Sequence, residues 1–304
     1  MDPFASVTTG PAAQGVSNLP ATLRLGAVSL AVTDLDRSVA WYQAALGLRV
    51  HRQDVGFAAL GDGSEDVLHL HEDATAGPPP RRASGLYHYA LLYPSREELA
   101  RAALRLAATR TSIQGASDHG THEAIYLPDP DGNGIELAAD RPRDRWPSPE
   151  EEFSGGGPRP LDFDALLATV GGDTAGLVEA QVRPGLRVGH LHLHVGDIAA
   201  GLAFYRDVIG FEVWAMMPTA AFVSAGGYHH HLGFNTWRGE DAAPMPAGIV
   251  GLRHWTIVLE HVDEVAEVRA RVRDAGIDSE DVTGGFAVGD PFGMVVRVVV
   301  AARR

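Results

Sequence analysis

The chain has 304 residues, no cysteine and a formal net charge of -14. Without cysteine there can be no disulfide, thiolate metal ligand or thiol nucleophile. The acidic balance argues against nucleic-acid and anionic-membrane partners, because both require a basic face. The N-terminus lacks the pattern of a signal peptide, and no apolar run reaches the roughly 20 residues that span a bilayer. We therefore expect a cytoplasmic globular protein of two domains.

The first predicted elements follow a polar stretch, residues 1–22, that we expect to be a disordered tail. Residues 28–32 alternate like a strand, and Asp34 then has the position and chemistry of a helix N-cap. A helix of about three turns should end at Gly47, the usual C-terminal glycine. Short alternating strands follow, so this segment predicts one strand, one helix and a small sheet.

A second segment shows a related order. Residues 88–93 resemble a strand, a helical pattern covers 97–108, and the tight turn "DPDG" precedes a closing strand that ends near residue 139. Residues 141–185 are rich in proline, glycine and charge, and they contain one short amphipathic piece at 161–170. We predict a linker that carries one short helix.

The rest of the chain repeats this organisation. Residues 195–213 align without gaps with residues 32–50, and the aligned positions include an identical aspartate, tyrosine and glycine. A fourth segment has a strand at 254–259, a helix near 262–275 and a closing strand after "DPFG". Such self-similarity indicates a repeat architecture. It predicts four βαβββ modules, at about 23–73, 85–140, 187–237 and 251–301.

The repeated "V-x-D" and aromatic-tyrosine pattern and the closing "DPDGNGIEL" resemble the vicinal oxygen chelate superfamily, which contains glyoxalases, bleomycin resistance proteins and extradiol dioxygenases. Four modules in a chain of this length are similar to the bacterial catechol 2,3-dioxygenases. The resemblance implies an α+β fold, with the four modules forming two domains with open-barrel sheets. We expect an N-terminal domain over 23–140 and a C-terminal domain over 186–304.

The resemblance also implies a metal site. Ring-cleaving members hold Fe(II) with two histidines and one carboxylate, which leaves positions open for substrate and O₂. Residues of these types stand at the motif positions of modules two and three, namely His88, Glu136 and His190. This ligand set implies that modules two and three face each other, with Fe(II) as the metal and Mn(II) as the alternative. His192 and His194 alternate with His190 and are expected to share its face.

Modules one and four lack a complete ligand set. Ala27 and Arg297 stand at two of the corresponding positions, so these modules should form a vestigial half. His254 is the rival ligand, because it begins the first strand of module four. A three-histidine site that joins His254 to histidines of module three also remains open. His69 is a weaker candidate at the position of module one that corresponds to Glu136.

Three consecutive histidines at 229–231 interrupt a strand-like run. Alternation predicts His230 on one face and His229 and His231 on the other, where we expect them to be structural. The run is similar to a strand of the extradiol enzymes, and this alignment gives His230 the role of proton-transfer residue. The same resemblance makes Tyr126 a substrate hydrogen-bonding residue and His119 a second active-site histidine.

These observations together favour an extradiol dioxygenase of aromatic compound catabolism that inserts O₂ into a catechol-like substrate at a non-haem Fe(II) centre. As partners we expect the aromatic substrate, O₂ and further copies of the chain in a homo-oligomer, but neither nucleic acid nor membrane. One alternative is a glyoxalase-type lyase or isomerase with Glu136 as a base and Ni, Zn or Mn as the metal. The other alternative is a metal-free small-molecule-binding protein.

Overall fold

A computed structural model describes residues 18–154, 157–171, 176 and 181–302. Most of the predicted disordered tail, residues 1–17, lies outside the described residues. The end of that segment packs against the protein: the backbone N–H of Asn18 donates to the carbonyl of Gly210 at 2.9 Å. Leu19 is buried, with 4% of its surface exposed. Among the described residues, no helix is both long and apolar enough to cross a membrane.

Four βαβββ modules make up the molecule, as the repeat predicts. The first, preceded by β1 (Arg24–Leu25), contains β2 (Val28–Val32), α1 (Leu35–Leu46), β3 (Arg49–Asp54), β4 (Phe57–Gly61) and β5 (Asp66–Glu72). The second contains β6 (Gly85–Leu92), α2 (Arg96–Ala108), β7 (Gly115–Asp118), β8 (His122–Pro128) and β9 (Gly134–Asp140). The segment after the second module contains a 3₁₀ turn (Arg143–Arg145), α3 (Pro149–Ser154), β10 (Arg159–Pro160), α4 (Phe163–Leu167) and a further 3₁₀ turn (Ala168–Val170).

The second half of the chain repeats the arrangement. The third module contains β11 (Arg187–His194), α5 (Ile198–Leu202) continued by a π-helical segment (Ala203–Ile209), β12 (Glu212–Met217), β13 (Ala220–Ser224) and β14 (Leu232–Asn235). The fourth contains β15 (Gly251–Leu259), α6 (Val262–Asp274), β16 (Ser279–Val282), β17 (Gly285–Gly289) and β18 (Val295–Val300). The predicted short helix in the linker is α4, which begins at Phe163 and is capped by Asp162.

The predicted helix boundaries of the repeat are confirmed. The carboxylate of Asp34 accepts from the N–H of Arg37, and that of Asp197 accepts from two N–H groups in the first turn of α5. Gly47 and Gly210 follow the two helices with φ of +70° and +107°. These left-handed conformations are costly for residues with a Cβ, which explains the glycines.

Strand pairing groups the modules in two pairs. Within each module the first and last strands run parallel, as in β6 with β9 and β15 with β18. Between modules, β6 pairs antiparallel with β11, and β2 pairs antiparallel with β15. Module two therefore meets module three, as expected from the ligand positions, and module one meets module four. The division into domains at 23–140 and 186–304 remains a prediction, whereas the sheet joins modules across it.

Buried tyrosines tie each repeated helix to the turn of the following module. The hydroxyl of Tyr42 donates to Asp129 at 2.9 Å and accepts from Tyr89 at 3.0 Å. In the second half, Tyr205 donates to Asp290 at 2.5 Å. Both aspartates begin the "DP" turns before the closing strands. Tyr42 and Tyr205 are fully buried, so these helix aromatics are part of the core.

Replacing Tyr42 by phenylalanine should lower the free energy of unfolding by about 1–3 kcal/mol, because Asp129 loses a donor and the Tyr89 hydroxyl loses its acceptor. Urea unfolding measures this change. Tyr93→Phe is the matched control, since the buried Tyr93 hydroxyl has no hydrogen-bond partner in the described part of the chain. Tyr93→Phe should leave stability unchanged or raise it. Equal losses in both variants would contradict the assigned hydrogen bonds.

Candidate metal centre

Three adjacent strands bring the expected ligands together. His88 lies on β6, between Glu136 on β9 and His190 on β11. Nε2 of His88 lies 3.0 Å from Oε2 of Glu136, and Nε2 of His190 lies 3.1 Å from the same oxygen. One donor atom from each residue falls within 4.8 Å of the other two. The side chains thus converge on one point although they come from two modules.

The electrostatics of this cluster favour a bound cation. Glu136 is 1% exposed, and burial alone would raise the pKa of its carboxyl. The surrounding imidazoles of His190, His122 and His88 outweigh burial, so the pKa of Glu136 is well below its usual value. A buried carboxylate is costly without a cationic partner. Two imidazole nitrogens and a carboxylate oxygen are donors that suit a divalent iron or manganese ion, so this donor set fits the expected metal.

His122 is a member of the site that the sequence analysis did not single out. It lies on β8, and its Nε2 is 3.0 Å from Oε1 of Glu136. Burial disfavours the imidazolium, but the bond to Glu136 outweighs this effect and raises the pKa of His122. The available signal was strand periodicity: His122 and Tyr126 are separated by four positions on β8 and therefore share a face.

His119 and Tyr126 lie in the same cavity as the ligand cluster. Nε2 of His119 is 2.7 Å from the Tyr126 hydroxyl, and the His119 ring stacks on His122 with centroids 4.5 Å apart. Tyr126 is opposite Glu136 in the β8–β9 register. Burial and the charge of Glu136 raise the pKa of Tyr126 well above its usual value, so the hydroxyl stays protonated at neutral pH.

The three consecutive histidines precede the strand instead of belonging to it. Pairing with β13 begins only where the N–H of His231 donates to the carbonyl of Val223, and β14 starts at Leu232. The predicted alternation of faces is therefore wrong, because the backbone before residue 231 is not in the ladder. His230 nevertheless reaches the cavity, with its ring 4.2 Å from that of His190 between centroids.

The neighbours of His230 have different surroundings. His229 has its Nδ1 2.8 Å from Nδ1 of His230 and its Nε2 3.2 Å from Asp140, and its ring stacks on His122 with centroids 4.7 Å apart. It contacts His230 and His122 without lining the cavity itself, which is consistent with the structural role expected for it. His231 accepts a hydrogen bond from the backbone N–H of Ala225 and does not line the cavity.

His254, the rival ligand, lies in the other pair of modules. It is on β15, where it lines a separate cleft together with Arg297 and His69. His69 itself is bonded to Asp66 at 3.0 Å. The structure does not bring His254 to the cluster around Glu136, which contradicts both the rival assignment and the three-histidine alternative.

A cavity of about 250 Å³ adjoins the ligand cluster. Its apolar wall is formed by residues that carry no sequence motif and were not predicted, namely Trp214, Met217, Phe222 and Trp237. His192 also lines it, as its alternation with His190 indicates. The linker contributes Glu152 and Pro158. Burial raises the pKa of Glu152 to about 7. The cavity therefore has a polar floor at the ligands and aromatic sides.

Comparison with known proteins assigns the chain to a family. The model of the Glyoxalase/Bleomycin resistance protein/Dioxygenase superfamily matches residues 24–137 and 187–298. The chain belongs to this superfamily. It is 40% identical over 272 residues to the catechol-2,3-dioxygenase of Bacillus subtilis, which covers 88% of this chain and 93% of that protein. It is also 30% identical to biphenyl-2,3-diol 1,2-dioxygenase 3 of Rhodococcus globerulus over 43% of this chain and 68% of that protein.

Solved structures agree on the fold. Glyoxalase I from Zea mays superposes with a TM-score of 0.56 at 16% identity, covering 92% of each chain. The cppA protein of Streptococcus pneumoniae superposes with a TM-score of 0.57 at 13% identity, covering 91% of this chain and 99% of that one. At these identities the similarity concerns the arrangement of the modules and not the chemistry of the site.

Glu136→Ala should remove most of the divalent metal that the protein binds, because the carboxylate is the anionic donor of the proposed set. Elemental analysis of purified protein after loading with Fe(II) measures the change. His254→Ala is the control and should retain one metal ion per chain. Retention by Glu136→Ala together with loss from His254→Ala would show that the ligands have been misassigned.

Proposed function

We propose that the protein is an Fe(II)-dependent extradiol dioxygenase. It would open the ring of a catechol-like substrate beside the diol and place both atoms of O₂ in the product. The chain is an enzyme of the catechol 2,3-dioxygenase type, given its 40% identity to the Bacillus subtilis protein over 88% of its length. The observation that supports the metal assignment is the convergence of His88, His190 and Glu136 at the floor of an aromatic cavity.

Two histidines and one carboxylate that leave coordination positions open are typical of non-haem Fe(II) oxygenases, with Mn(II) as the alternative metal here. When bound, the metal supplies coordination sites and electron transfer between ring and oxidant. The protein supplies the geometry: the three ligands come from neighbouring strands and share one face. The remaining side of the metal position would then face the cavity, where a substrate can approach.

The cavity has room for a single substituted ring. An apolar cavity of about 150 Å³ is sufficient to hold benzene, and the one described here measures about 250 Å³. Phe222 and Trp237 offer aromatic surfaces that suit a planar ring. The diol would point toward the ligand cluster, because polar groups are concentrated there. The aromatic side chains would thus contact the ring of the substrate, and the ligand cluster would bind its hydroxyl groups.

In this proposal His230 is the proton-transfer residue. Its ring lines the cavity beside His190, and its Nδ1 is engaged with His229. Nε2 is therefore the nitrogen that can meet a substrate hydroxyl, accept its proton and return it later to the ring-opened product. His230 is not part of the convergent donor set around Glu136, which favours a proton-transfer role over metal ligation.

His119 and Tyr126 would position the substrate. The Tyr126 hydroxyl is held between Nε2 of His119 and the carboxylate of Glu136. This arrangement fixes a polar group at the edge of the ligand cluster, where a catechol oxygen would lie. A polar group that is held in place before the substrate arrives orients it at little entropic cost.

Anaerobic reconstitution with Fe(II), followed by addition of catechol and O₂, tests the whole proposal. We expect oxygen uptake in proportion to substrate consumed, and mass spectrometry after reaction in ¹⁸O₂ should find both labelled atoms in the product. If the protein instead converts the adduct of glutathione and methylglyoxal with Ni, Zn or Mn, it is a glyoxalase-type enzyme and the proposed dioxygenase function is wrong. A protein that binds catechol but no metal would indicate a binding function.

His230→Gln should keep its metal and bind catechol, yet turn over about 10²–10⁴-fold more slowly, the usual worth of general acid–base assistance. Steady-state oxygen uptake and metal content measure the two effects separately. His231→Gln is the matched control, because His231 neighbours the catalytic candidate but lies outside the cavity. His231→Gln should react at nearly the parent rate. Loss of metal from His230→Gln would identify His230 as a ligand and contradict the proposed role.

A further inference from the structure

The repeat places a cation where the candidate metal centre has its carboxylate. Glu136 on β9 pairs with the β6 residue two positions after His88. In module four, Arg297 on β18 pairs with Thr256, the β15 residue two positions after His254. Arg297 is therefore the structural counterpart of Glu136, and the charge at this position is reversed. A site with this charge repels the metal ion that the other module pair suits.

A cleft of about 690 Å³ opens over this second position. It lies on the sheet that modules one and four form through the pairing of β2 with β15. Polar and apolar side chains both line it, among them His69, His254, Arg297, Val258 and Val299. The cleft is lined by none of the residues of the cavity beside Glu136, so a ligand here would occupy a separate site.

The guanidinium of Arg297 lacks an anionic partner in the described part of the chain. Its Nε is buried without a hydrogen-bond partner, and no ion pair involves Arg297 among the described residues. The carboxylates that line the cleft are already engaged: Asp66 contacts two histidines, and Asp281 pairs with Arg269 at 2.6 Å. Because Arg297 lines the cleft and forms no ion pair within the described residues, its guanidinium charge is available to an anion that enters the cleft.

Neighbouring groups do not neutralise the positive charge. Burial, followed by the charge of Arg297, lowers the pKa of His254 to about 3, so His254 is a neutral imidazole at physiological pH. It can donate one N–H beside the guanidinium. A ligand in the cleft would thus meet a permanent cation and a neutral donor, with valine side chains of β15 and β18 close by.

We infer that this cleft binds a small organic anion, whose carboxylate or phosphate group pairs with Arg297 and whose apolar part lies on Val258 and Val299. Arginine presents parallel N–H donors that match either oxyanion in a two-pronged geometry. The vestigial half of the molecule would then be a second ligand site with the opposite charge preference. This inference does not depend on the activity proposed for the metal centre.

Isothermal titration of the full-length protein with two probes, benzoate and inorganic phosphate, tests the inference. We expect at least one probe to bind, and Arg297→Met to weaken that binding about tenfold or more. Arg273→Met is the matched control, because Arg273 also carries a positive charge but is paired with Asp274, and neither residue lines the cleft. It should bind the probe like the parent. Preference for benzoate would indicate a carboxylate ligand, and preference for phosphate would indicate a phosphorylated one.

The metal centre can also attract anions, and Glu136→Ala separates the two sites. Binding at Arg297 should persist in Glu136→Ala, whereas loss in that variant with retention in Arg297→Met would overturn the inference. If Arg297→Met does not fold, proton NMR of the parent protein can show instead whether the probe binds in the cleft. The ring signal of His254, identified by its absence in His254→Gln, should move on addition of the probe. If neither probe moves the His254 signal, the inference is overturned as well.

Discussion

The buried carboxylate of Glu136 is the constraint around which this molecule is arranged. A charge at 1% exposure is tolerable only because imidazoles surround it, two of them at 3.0–3.1 Å from one oxygen. His88 comes from the same module, but His190 comes from the next one, across the β6–β11 pairing. The pairing of modules two and three therefore supplies one of the imidazoles that stabilise this charge. The geometry of the site therefore depends on the topology of the sheet.

The duplicated fold explains how one chain can carry opposite charges at corresponding positions of two modules. The βαβββ module sets where a side chain on the last strand points, because the parallel pairing of first and last strands is the same in each copy. It does not set the charge of that side chain. Glu136 in one module pair and Arg297 in the other occupy corresponding positions. The same backbone position can therefore carry either an acidic or a basic side chain.

The family resemblance pointed to the three candidate ligands, because each stands at a motif position of its module. Sequence reasoning missed His122, which contributes a third imidazole to Glu136 and is visible only as a strand neighbour of Tyr126. It also applied strand alternation to His229 and His230, which precede the ladder. Both errors arise where a side chain's direction depends on backbone pairing and not on residue type.

The modules, their capped helices and their turns follow from the sequence by itself, because caps, left-handed glycines and alternating strands are local properties of the backbone. Local sequence does not specify in the same way which two modules pair with each other. β6 could in principle have paired with the edge of any other module, since strand propensity does not specify a distant partner. The ligand positions implied that modules two and three meet, but only the tertiary structure shows that they do so through β6 and β11. The physical reason is that pairing across about a hundred residues depends on burying shared faces and on neutralising Glu136, and both are properties of the assembled sheet.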